Sequence, residues 1–555
     1  MMRNVFSVGL EPDFVSERPM RSLKQLNAVS DFPMTVAKLL QDTLVMTSAQ
    51  SPEHIALITD DVRMSYREAM EYACRLAHVL RIHGVRGGDR VAIFMENTWQ
   101  CALSIYAVLL AGGVFVAINA QTKHEKLAFI LHDSDSTVLL TDAHLGRVFA
   151  PVAEQLPRLR VLSLADSKML PSGIENLNDV CADMPTTLLP QSASPRDLAA
   201  LIYTSGTTGM PKGVMHSHRS LLFVLNSINE YLGFLPGDRL FSALPLNFGY
   251  GLFQWLSAVR AGATLVQERS FTYPMQAFKR MNDEAVTSFA SVPTVFAMML
   301  TQDAKQALRF PSVRILTNAA AALPVDFIPG IRRMFPHADL YKMYGQTECI
   351  RSAYLTPVLA EAKPESVGCA IPGTELLLLD EDGRTVAPGE VGNLYVRGPH
   401  LMQGYWKQPE KTAEVLVPDL VPGEFLLKSG DLFRQDAEGD FYFVARSDEV
   451  IKSRGEKVSP TEVENAIYRL ATVQEVLVAG IPDPLLGEAV CAFVAVREGA
   501  KLSVQQIKHV CRERLENYMV PKHVLLLPEL PRTANGKLSR KLTLEQCATL
   551  LAQLE

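Results

Sequence analysis

The chain has 555 residues, more than a single compact core normally holds, so two or more domains are expected. Its 54 basic and 60 acidic residues give a net charge of −6, which argues against a nucleic-acid-binding protein, because such proteins usually carry a basic excess. Eight scattered cysteines without a C-x-x-C pair indicate reduced thiols in the cytoplasm rather than a disulfide framework or a zinc site.

In chain order, an irregular lead-in is expected over residues 1–35, without the apolar segment of a signal peptide. From about residue 36, helical patterns such as YREAMEYACRLAHVLRIHGV alternate with apolar strand patterns such as RVAIFM and STVLLTD. The alternation is typical of an α/β fold with parallel sheets, and it continues through RLFSALPL, ATLVQE and VRILTNAA. After about residue 365, TELLLLDEDGRTVAPGEVGNLYVRG predicts antiparallel strands joined by tight turns, and a small α+β domain follows.

One apolar stretch, CALSIYAVLLAGGVFVAINA at 101–120, is long enough to imitate a membrane span. Gly112 and Gly113 divide it into a helix-like half and a strand-like half. We therefore predict a buried helix–turn–strand unit and no membrane span.

The stretch YTSGTTGMPKGV, 203–214, packs glycines beside hydroxyls and ends in one lysine. Small residues let backbone N–H groups converge on phosphate oxygens, while hydroxyls and a lysine add donors and charge. The spacing is not that of a standard P-loop, and the plain alternative is an ordinary Gly/Ser/Thr turn. The residues predicted to hold phosphate are Thr204, Ser205, Gly206, Thr207, Thr208, Gly209 and Lys212.

Three further motifs follow in order: YGQTE at 344–348, SGDLFRQDAEGDFYFVARSDEVIKSRGEKVSPTEVE at 429–464, and PRTANGK at 531–537. With the phosphate loop, they make residues 36–545 resemble the adenylate-forming (AMP-binding) superfamily of acyl-CoA synthetases, luciferases and nonribosomal adenylation domains. The resemblance implies that a carboxylate attacks the α-phosphate of ATP to give an acyl-AMP, and that a thiol then displaces AMP. Such phosphoryl-type chemistry needs positioning and charge neutralisation more than acid–base help.

The implied architecture is α/β. A large N-terminal AMP-binding domain, 36–446, combines packed α/β subdomains with a β-rich subdomain. A small, mobile α+β C-terminal domain, 447–555, follows a hinge at Asp448, at an element boundary where a hinge residue can absorb backbone rotation.

The resemblance also implies roles for residues of the middle motifs. Tyr344 stacks on adenine, Thr347 donates to the α-phosphate, and Glu348 helps to hold Mg²⁺, which prefers carboxylate and phosphate oxygens. Asp431 accepts both ribose hydroxyls, and Arg446 lies on the far side of the ribose. Outside their motifs, such residues would be read as surface or turn residues.

Two lysines are expected to act in different half-reactions. Lys537 bridges the attacking carboxylate and the α-phosphate as negative charge builds between them. Lys452 and Gly455 serve the thioester step, in which Gly455 leaves room for the pantetheine arm. Read without its motif, Lys537 would be a solvated surface lysine.

The acyl pocket is predicted around LPLNFGYGLFQW, 244–255. Amino-acid-activating relatives carry an Asp where this chain has Gly249, so an α-amino acid is disfavoured, because a buried ammonium needs a counter-ion. The aromatic residues, with glycines that open a tunnel, favour an uncharged aliphatic or aryl acid, although any single aromatic residue is equally well explained as core. Where the family often has Gly-Gly-Ala-Pro, this chain reads NAAAALP, 318–324. The pocket residues are predicted to be Phe248, Gly249, Tyr250, Gly251, Asn318, Ala319 and Gln346.

The thiol acceptor is either coenzyme A or the phosphopantetheine of a separate carrier protein. Residues 505–541 carry eight Lys or Arg against three Glu, which suits coenzyme A phosphates, an acidic carrier protein or simply water. No insertion of the kind that blocks coenzyme A in fatty acyl-AMP ligases is seen, so coenzyme A is favoured. The alternatives are an enzyme that loads a carrier protein, a luciferase-like oxygenase and a non-catalytic nucleotide-binding homologue.

Overall fold

The computed structural model describes residues 37–59, 62–164, 174–204, 210–453, 456–483, 485–533 and 537–552. Within these ranges the strands form four sheets, two of them large and mostly parallel, and the predicted α/β architecture is confirmed. The predicted lead-in, 1–35, lies outside the described residues.

The first large sheet has the strand order β19-β9-β8-β4-β3-β5-β6-β7, with parallel pairing from β8 to β7 and antiparallel pairing at β9 and β19. Its central strands are continuous apolar runs, as expected for strands covered on both faces. The elements up to β9 are α1 (Asp42–Gln50), β1 (Ile55–Ile58), β2 (Arg63–Ser65), α2 (Tyr66–Ile82), β3 (Arg90–Met95), α3 (Trp99–Leu110), β4 (Val114–Asn119), α4 (His124–Asp133), β5 (Val138–Asp142), α5 (Gly146–Gln155), β6 (Arg160–Leu164), β7 (Ile174–Asn176), α6 (Leu177–Ala182), β8 (Leu198–Thr204) and β9 (Lys212–Ser217).

The second large sheet has the order β16-β15-β14-β13-β12-β10-β11-β1-β2 and is parallel from β14 to β1. Its elements after β9 are α7 (His218–Leu232), β10 (Arg239–Ser242), α8 (Gly249–Ala261), β11 (Thr264–Gln267), α9 (Pro274–Asp283), β12 (Ser288–Ser291), α10 (Pro293–Asp303), β13 (Ile315–Asn318), α11 (Ile328–Met334), β14 (Asp339–Tyr344), β15 (Ala353–Leu355), α12 (Leu359–Ala362) and β16 (Cys369–Ala370).

Helices α2, α3, α7 and α8 contribute to one hydrophobic core together with strands of both large sheets. Trp255 of α8 is fully buried, and its Nε1 donates to the carbonyl oxygen of Ala102 in α3 at 3.0 Å. Helix α2 begins at a capping box in which Ser65 and Glu68 satisfy each other's backbone N–H groups. This shared helical layer fixes α8, whose first turn carries the predicted acyl pocket.

The apolar stretch at 101–120 folds as predicted. Helix α3 ends before Gly112, whose φ of 78° is a left-handed conformation that glycine adopts freely, and β4 follows. None of the described helices is both long and apolar enough to cross a membrane.

The β-rich part is a smaller antiparallel sheet, β17-β18-β21-β20, with β22 paired to β21. This antiparallel sheet lies in the part of the chain where the sequence predicts antiparallel strands joined by tight turns. The elements are β17 (Glu375–Leu379), β18 (Val391–Arg397), β19 (Gly404–Tyr405), α13 (Pro409–Val415), β20 (Leu416–Pro418), β21 (Phe425–Gln435) and β22 (Phe441–Arg446).

The C-terminal part is an α+β unit built on the sheet β24-β23-β26-β25, with β27 parallel to β26. It has its own hydrophobic core between the sheet and helices α14 and α15. The elements are β23 (Ile451–Ser453), β24 (Glu456–Val458), α14 (Pro460–Tyr468), β25 (Val473–Asp483), β26 (Gly487–Val496), α15 (Val504–Arg514), β27 (His523–Leu527), α16 (Arg540–Gln546) and α17 (Ala548–Leu551).

Candidate active site

The two ends of the phosphate loop are held together by a hairpin. Strands β8 and β9 pair antiparallel, and Thr204 lies directly opposite Lys212. The Lys212 ammonium lies 4.3 Å from the ring centroid of Tyr405, on strand β19, which pairs with β9. The loop residues between the strands that were predicted to hold phosphate lie outside the described residues; they are Ser205, Gly206, Thr207, Thr208 and Gly209.

The same tyrosine holds the carboxylate of the YGQTE motif. The Tyr405 hydroxyl donates to Oε1 of Glu348 at 2.7 Å, and the backbone of Met402 donates to the Glu348 carbonyl at 2.8 Å. Burial, together with the Glu348 charge, raises the pKa of Tyr405, so its hydroxyl stays a donor. Lys212 and Glu348, which belong to different motifs, therefore both contact the Tyr405 side chain.

Thr347 and Gln346 are fixed by neighbours outside their motif. His216 of β9 is fully buried, and its Nε2 lies 2.8 Å from the carbonyl oxygen of Thr347. Burial lowers the pKa of His216 to about 4, so the ring is neutral and Nε2 donates to this carbonyl. Gln346 donates to the carbonyl oxygen of Ser429 at 3.2 Å, which ties the YGQTE turn to strand β21.

Asp431 and Arg446 stand opposite each other on the neighbouring strands β21 and β22. The Asp431 side chain accepts a hydrogen bond from the Tyr344 hydroxyl on Oδ2, and its Oδ1 lies 3.1 Å from Arg446 Nε. Oδ1 is buried and has no hydrogen bond of good geometry among the described residues. Asp431 is 3% exposed, and this burial raises its pKa to about 6 although the Arg446 charge opposes the shift.

Lys537 reaches this group from the C-terminal part of the chain. Its ammonium lies 5.1 Å from the ring centroid of Phe248, the residue that immediately precedes helix α8. Burial, and then the charge of Arg446, lowers the pKa of Lys537. A partly buried cation beside another cation favours the binding of an anion, and none of the described carboxylates forms an ion pair with Lys537.

The pocket residues differ in how much space they leave. A Cβ at Gly249 would meet Ile350 Cδ1 at 3.7 Å, an ordinary contact, so this position has room for a side chain. Gly251 does not open a tunnel, and that expectation is wrong: a Cβ there would lie 2.3 Å from the Pro245 carbonyl oxygen. Gly251 instead allows the turn before α8 to pack closely against the helix. The aromatic residues further along α8, Phe253 and Trp255, belong to the core.

The pocket wall continues on strand β13. The Tyr250 hydroxyl is hydrogen-bonded to Thr317 at 2.6 Å, and Ala319 packs in the same small apolar cluster. Asn318 is buried; its Nδ2 donates to Ala321 at 3.1 Å, and its Oδ1 has no partner among the described residues. Ala320 adopts a φ of 75°, a conformation that suits glycine better.

Of the two residues predicted for the thioester step, the structure describes Lys452. Lys452 is exposed on strand β23, and Gly455 lies outside the described residues. Asp448 is exposed in the turn between β22 and β23, 3.5 Å from Arg446. The basic surplus of 505–541 is also not one open patch, because Lys522, Arg532 and Arg540 pair with acidic side chains of the C-terminal part.

Comparison of the sequence with models of known protein families identifies the family of the chain. The model for the AMP-binding enzyme matches residues 45–406, and the model for the AMP-binding enzyme C-terminal domain matches residues 462–537. The chain belongs to the AMP-binding enzyme family. The superfamily and the AMP-forming acid–thiol ligase class predicted from the four motifs are thereby confirmed.

Several named relatives share most of the enzyme's length. A long-chain-fatty-acid–CoA ligase of Bacillus subtilis (strain 168) is 30% identical over 541 residues, covering 92% of this chain and 94% of the relative. Tyrocidine synthase 3 of Brevibacillus parabrevis is 31% identical over 89% of this chain, which spans only 7% of that synthase. The anthranilate CoA ligase AuaEII, solved with anthranoyl-AMP, has a TM-score of 0.84 and 27% identity, covering 94% of this chain and 99% of that one.

Three residues of the enzyme's site escaped the sequence prediction. Tyr405 and His216 lie outside the four motifs, and only the pairing of β19 with β9 brings Tyr405 to Lys212. Arg351, three residues beyond YGQTE, is buried beside Tyr250. The only indication in the sequence that Arg351 belongs to the site was its position three residues after Glu348.

Proposed function

We propose that the enzyme activates a carboxylic acid with ATP through an acyl-AMP intermediate and then transfers the acyl group to coenzyme A. The observation that carries this proposal is the position of Lys537, which reaches Phe248 at the acyl pocket and the vicinity of Arg446 at the nucleotide side. The charge that develops during adenylation lies between these two places, where a buried ammonium is most effective.

In the first half-reaction, a carboxylate oxygen of the acid forms a bond to the α-phosphorus. The bond from that phosphorus to the bridging oxygen breaks, and pyrophosphate leaves. Lys212, with the phosphate loop, holds the β- and γ-phosphates, and Thr347 donates to the α-phosphate. Two contacts support these roles. The antiparallel hairpin fixes Lys212 on β9, and the hydrogen bond from His216 fixes Thr347 against the same strand.

The nucleoside is assigned to the Asp431 group. Asp431 Oδ1 is a buried acceptor without a good hydrogen bond among the described residues, and it suits a ribose hydroxyl. Arg446 flanks it, and Tyr344 contributes its ring to the adenine, while Asn318, Ala319 and Gln346 are assigned to the acyl pocket.

Glu348 fits a magnesium site. It is a carboxylate whose Oε1 is held in place by Tyr405, close to the lysine of the phosphate loop, and Mg²⁺ favours carboxylate together with substrate phosphates. When bound there, Mg²⁺ would neutralise charge on the leaving pyrophosphate. The chain's own part is to orient the Glu348 carboxylate through the Tyr405 hydroxyl.

For the second half-reaction, we propose that residues 447–555 rotate about Asp448 relative to residues 36–446. The thiol sulfur then attacks the acyl carbonyl carbon, and the bond from that carbon to the AMP oxygen breaks. The exposed position of Lys452 on β23 supports this proposal, because an exposed lysine is accessible to an incoming thiol substrate. Gly455 would leave room for the pantetheine arm, and the eight free cysteines suit a reducing cytoplasm.

The test separates the two half-reactions. Purified enzyme is given ATP, Mg²⁺ and single acids from an aliphatic and aryl panel, and pyrophosphate release is measured. AMP release is then measured with coenzyme A or with a holo carrier protein. Pyrophosphate release with at least one acid, followed by AMP release that requires coenzyme A, supports the proposal. Release with no acid contradicts adenylation, and a requirement for the carrier protein assigns the other acceptor.

A further inference from the structure

Arg351 is a buried cation without an anionic partner. It is 4% exposed, and its Nε is buried without a hydrogen bond. In the part of the chain that the structure describes, no carboxylate forms an ion pair with it, and its side chain makes no hydrogen bond. Other arginines near the core do have carboxylate partners, such as Arg314 with Asp238 and Arg280 with Glu268.

The surroundings of Arg351 do not neutralise it. Its guanidinium carbon lies 5.4 Å from the ring centroid of Tyr250, and Tyr231 is close enough to feel its charge. Burial raises the pKa values of both tyrosines, so their hydroxyls remain uncharged. An arginine in a protein does not lose its proton, and a cation–π contact offsets only part of the lost hydration. Because no described residue supplies an anion to Arg351, a ligand is the source to test.

Arg351 is held rigidly next to the reacting centre. A Cβ at Gly345 would lie 2.6 Å from the Ile350 carbonyl oxygen and 2.7 Å from the Arg351 Cα, so the YGQTE turn folds directly onto this segment. Ile350 has a φ of 60°, which is unfavourable for a β-branched residue and is retained where the surroundings enforce it. The position of Arg351 is thus tied to that of Thr347.

Two cations bracket the open part of the acyl pocket. Lys537 lies over the ring of Phe248, and Arg351 lies over the ring of Tyr250. Between these aromatic residues in the sequence, Gly249 has no side chain, and a Cβ there would have Ile350 Cδ1, at 3.7 Å, as its one described neighbour within 4 Å. A compact acid with a negative charge at each end matches this arrangement.

We propose that the substrate is a short dicarboxylic acid, whose distal carboxylate pairs with Arg351 while the other carboxylate reacts beside Lys537. The inference rests on the proposed adenylation activity and replaces the expectation of an uncharged acid. The expectation of an uncharged acid was based on the aromatic residues and Gly249, and it did not take Arg351 into account.

The experiment compares acids in matched pairs of equal chain length: malonate with propionate, succinate with butyrate, glutarate with valerate, and adipate with hexanoate. Pyrophosphate release is measured for the wild-type enzyme, Arg351→Met, Arg351→Lys and the control Arg434→Met. Arg434 also lies over a tyrosine ring, that of Tyr442 at 4.2 Å, but outside the pocket. Because Met replaces an unpaired buried charge with an apolar chain, the fold is expected to be retained.

We expect the wild-type enzyme to prefer at least one diacid over its matched monoacid by about 100-fold or more in kcat/KM, since a site built for a polar group rejects the analogue that lacks it. Arg351→Met should lose that preference, Arg351→Lys should keep part of it, and Arg434→Met should keep all of it. A wild-type enzyme that uses monoacids equally well or better overturns the inference and leaves adenylation intact.

Absence of pyrophosphate release with every one of these acids and with the aliphatic and aryl panel contradicts the proposed function instead. Binding then decides the inference, and calorimetric titration with succinate and glutarate is the readout. Binding by wild-type enzyme that Arg351→Met abolishes supports the anion site. Equal binding by the two proteins, or no binding by either, overturns it.

Discussion

Replacing Asp431 by Asn should make the enzyme more stable and less active. Burial raises the pKa of Asp431 from the ordinary 3.8 to about 6, so the folded state disfavours the carboxylate. Two pKa units correspond to about 3 kcal/mol at neutral pH. Below about pH 4 both the folded and the unfolded carboxyl are protonated and the group contributes nothing. As pH rises to about 6, the destabilisation grows to its full value.

The free energy of unfolding, measured by urea titration without nucleotide, should therefore be about 3 kcal/mol larger for Asp431→Asn than for wild type at pH 7.5. The difference should shrink toward zero near pH 4. The kcat/KM for ATP should fall by about 10- to 100-fold, because a charged acceptor for ribose is lost. Calorimetric melting temperatures between pH 4 and 8 give the same comparison.

Asp436 provides a control of opposite sign, next to strand β21. Burial raises its pKa, but the Lys363 ammonium and other donors outweigh burial and lower the pKa to about 2. Asp436→Asn should therefore destabilise the enzyme at neutral pH, and the loss should disappear as pH falls below 3.8 toward 2. If Asp431→Asn is less stable than wild type at pH 7.5, or differs equally at every pH, the reasoning about Asp431 is refuted.

Four other substitutions test separate parts of the site. Lys537→Ala should lower pyrophosphate release by about 10²- to 10³-fold, while thioester formation from supplied acyl-AMP stays unchanged. Lys541→Ala, at an exposed lysine, is the control. Loss of both steps in Lys537→Ala contradicts this role. Because the pKa of Lys537 is lowered, the rate of adenylation by the wild-type enzyme should begin to fall at a pH below 10.5, the ordinary pKa of lysine. In Lys537→Arg the fall should shift to higher pH, because arginine keeps its proton. Identical pH profiles for the two proteins exclude Lys537 as the titrating group. Asp448→Pro should retain pyrophosphate release and lose AMP release with coenzyme A, since a fixed φ restricts the hinge; an unimpaired second step argues against the hinge. Ala320→Gly should raise the free energy of unfolding by about 0.5–1 kcal/mol in urea titration, because the left-handed φ no longer carries a Cβ; an unchanged or lower value would show that Ala320 is unstrained.

Local sequence pattern was enough to predict several of the strands and helices. The apolar run of β3 and the amphipathic α2 fold where their periodicity places them, since each is long and strongly patterned. The Gly112–Gly113 break likewise separated a helix from a strand in what resembled a membrane span.

Contacts between distant segments could not be predicted in this way. Tyr405 reaches Lys212 and Glu348 only because a two-residue strand pairs with β9. The role of Gly251 depends on a carbonyl six residues earlier in the chain, which periodicity does not reveal. Arg351 looks like an ordinary charged residue in the sequence, and only the structure shows that it is buried without a carboxylate partner among the described residues.

Helix α8 separates two requirements that often conflict. Its later turns, with Trp255 bonded to α3, hold the layer between the two large sheets, whereas its first turn, from Gly249, faces the acyl pocket. Substitutions at the start of the helix can therefore change which acid is accepted without weakening the layer that the rest of the helix supports. A library confined to Phe248 and Gly249, which leaves the buried Tyr250 unchanged, is therefore the place to test substrate preference with little disturbance of the core.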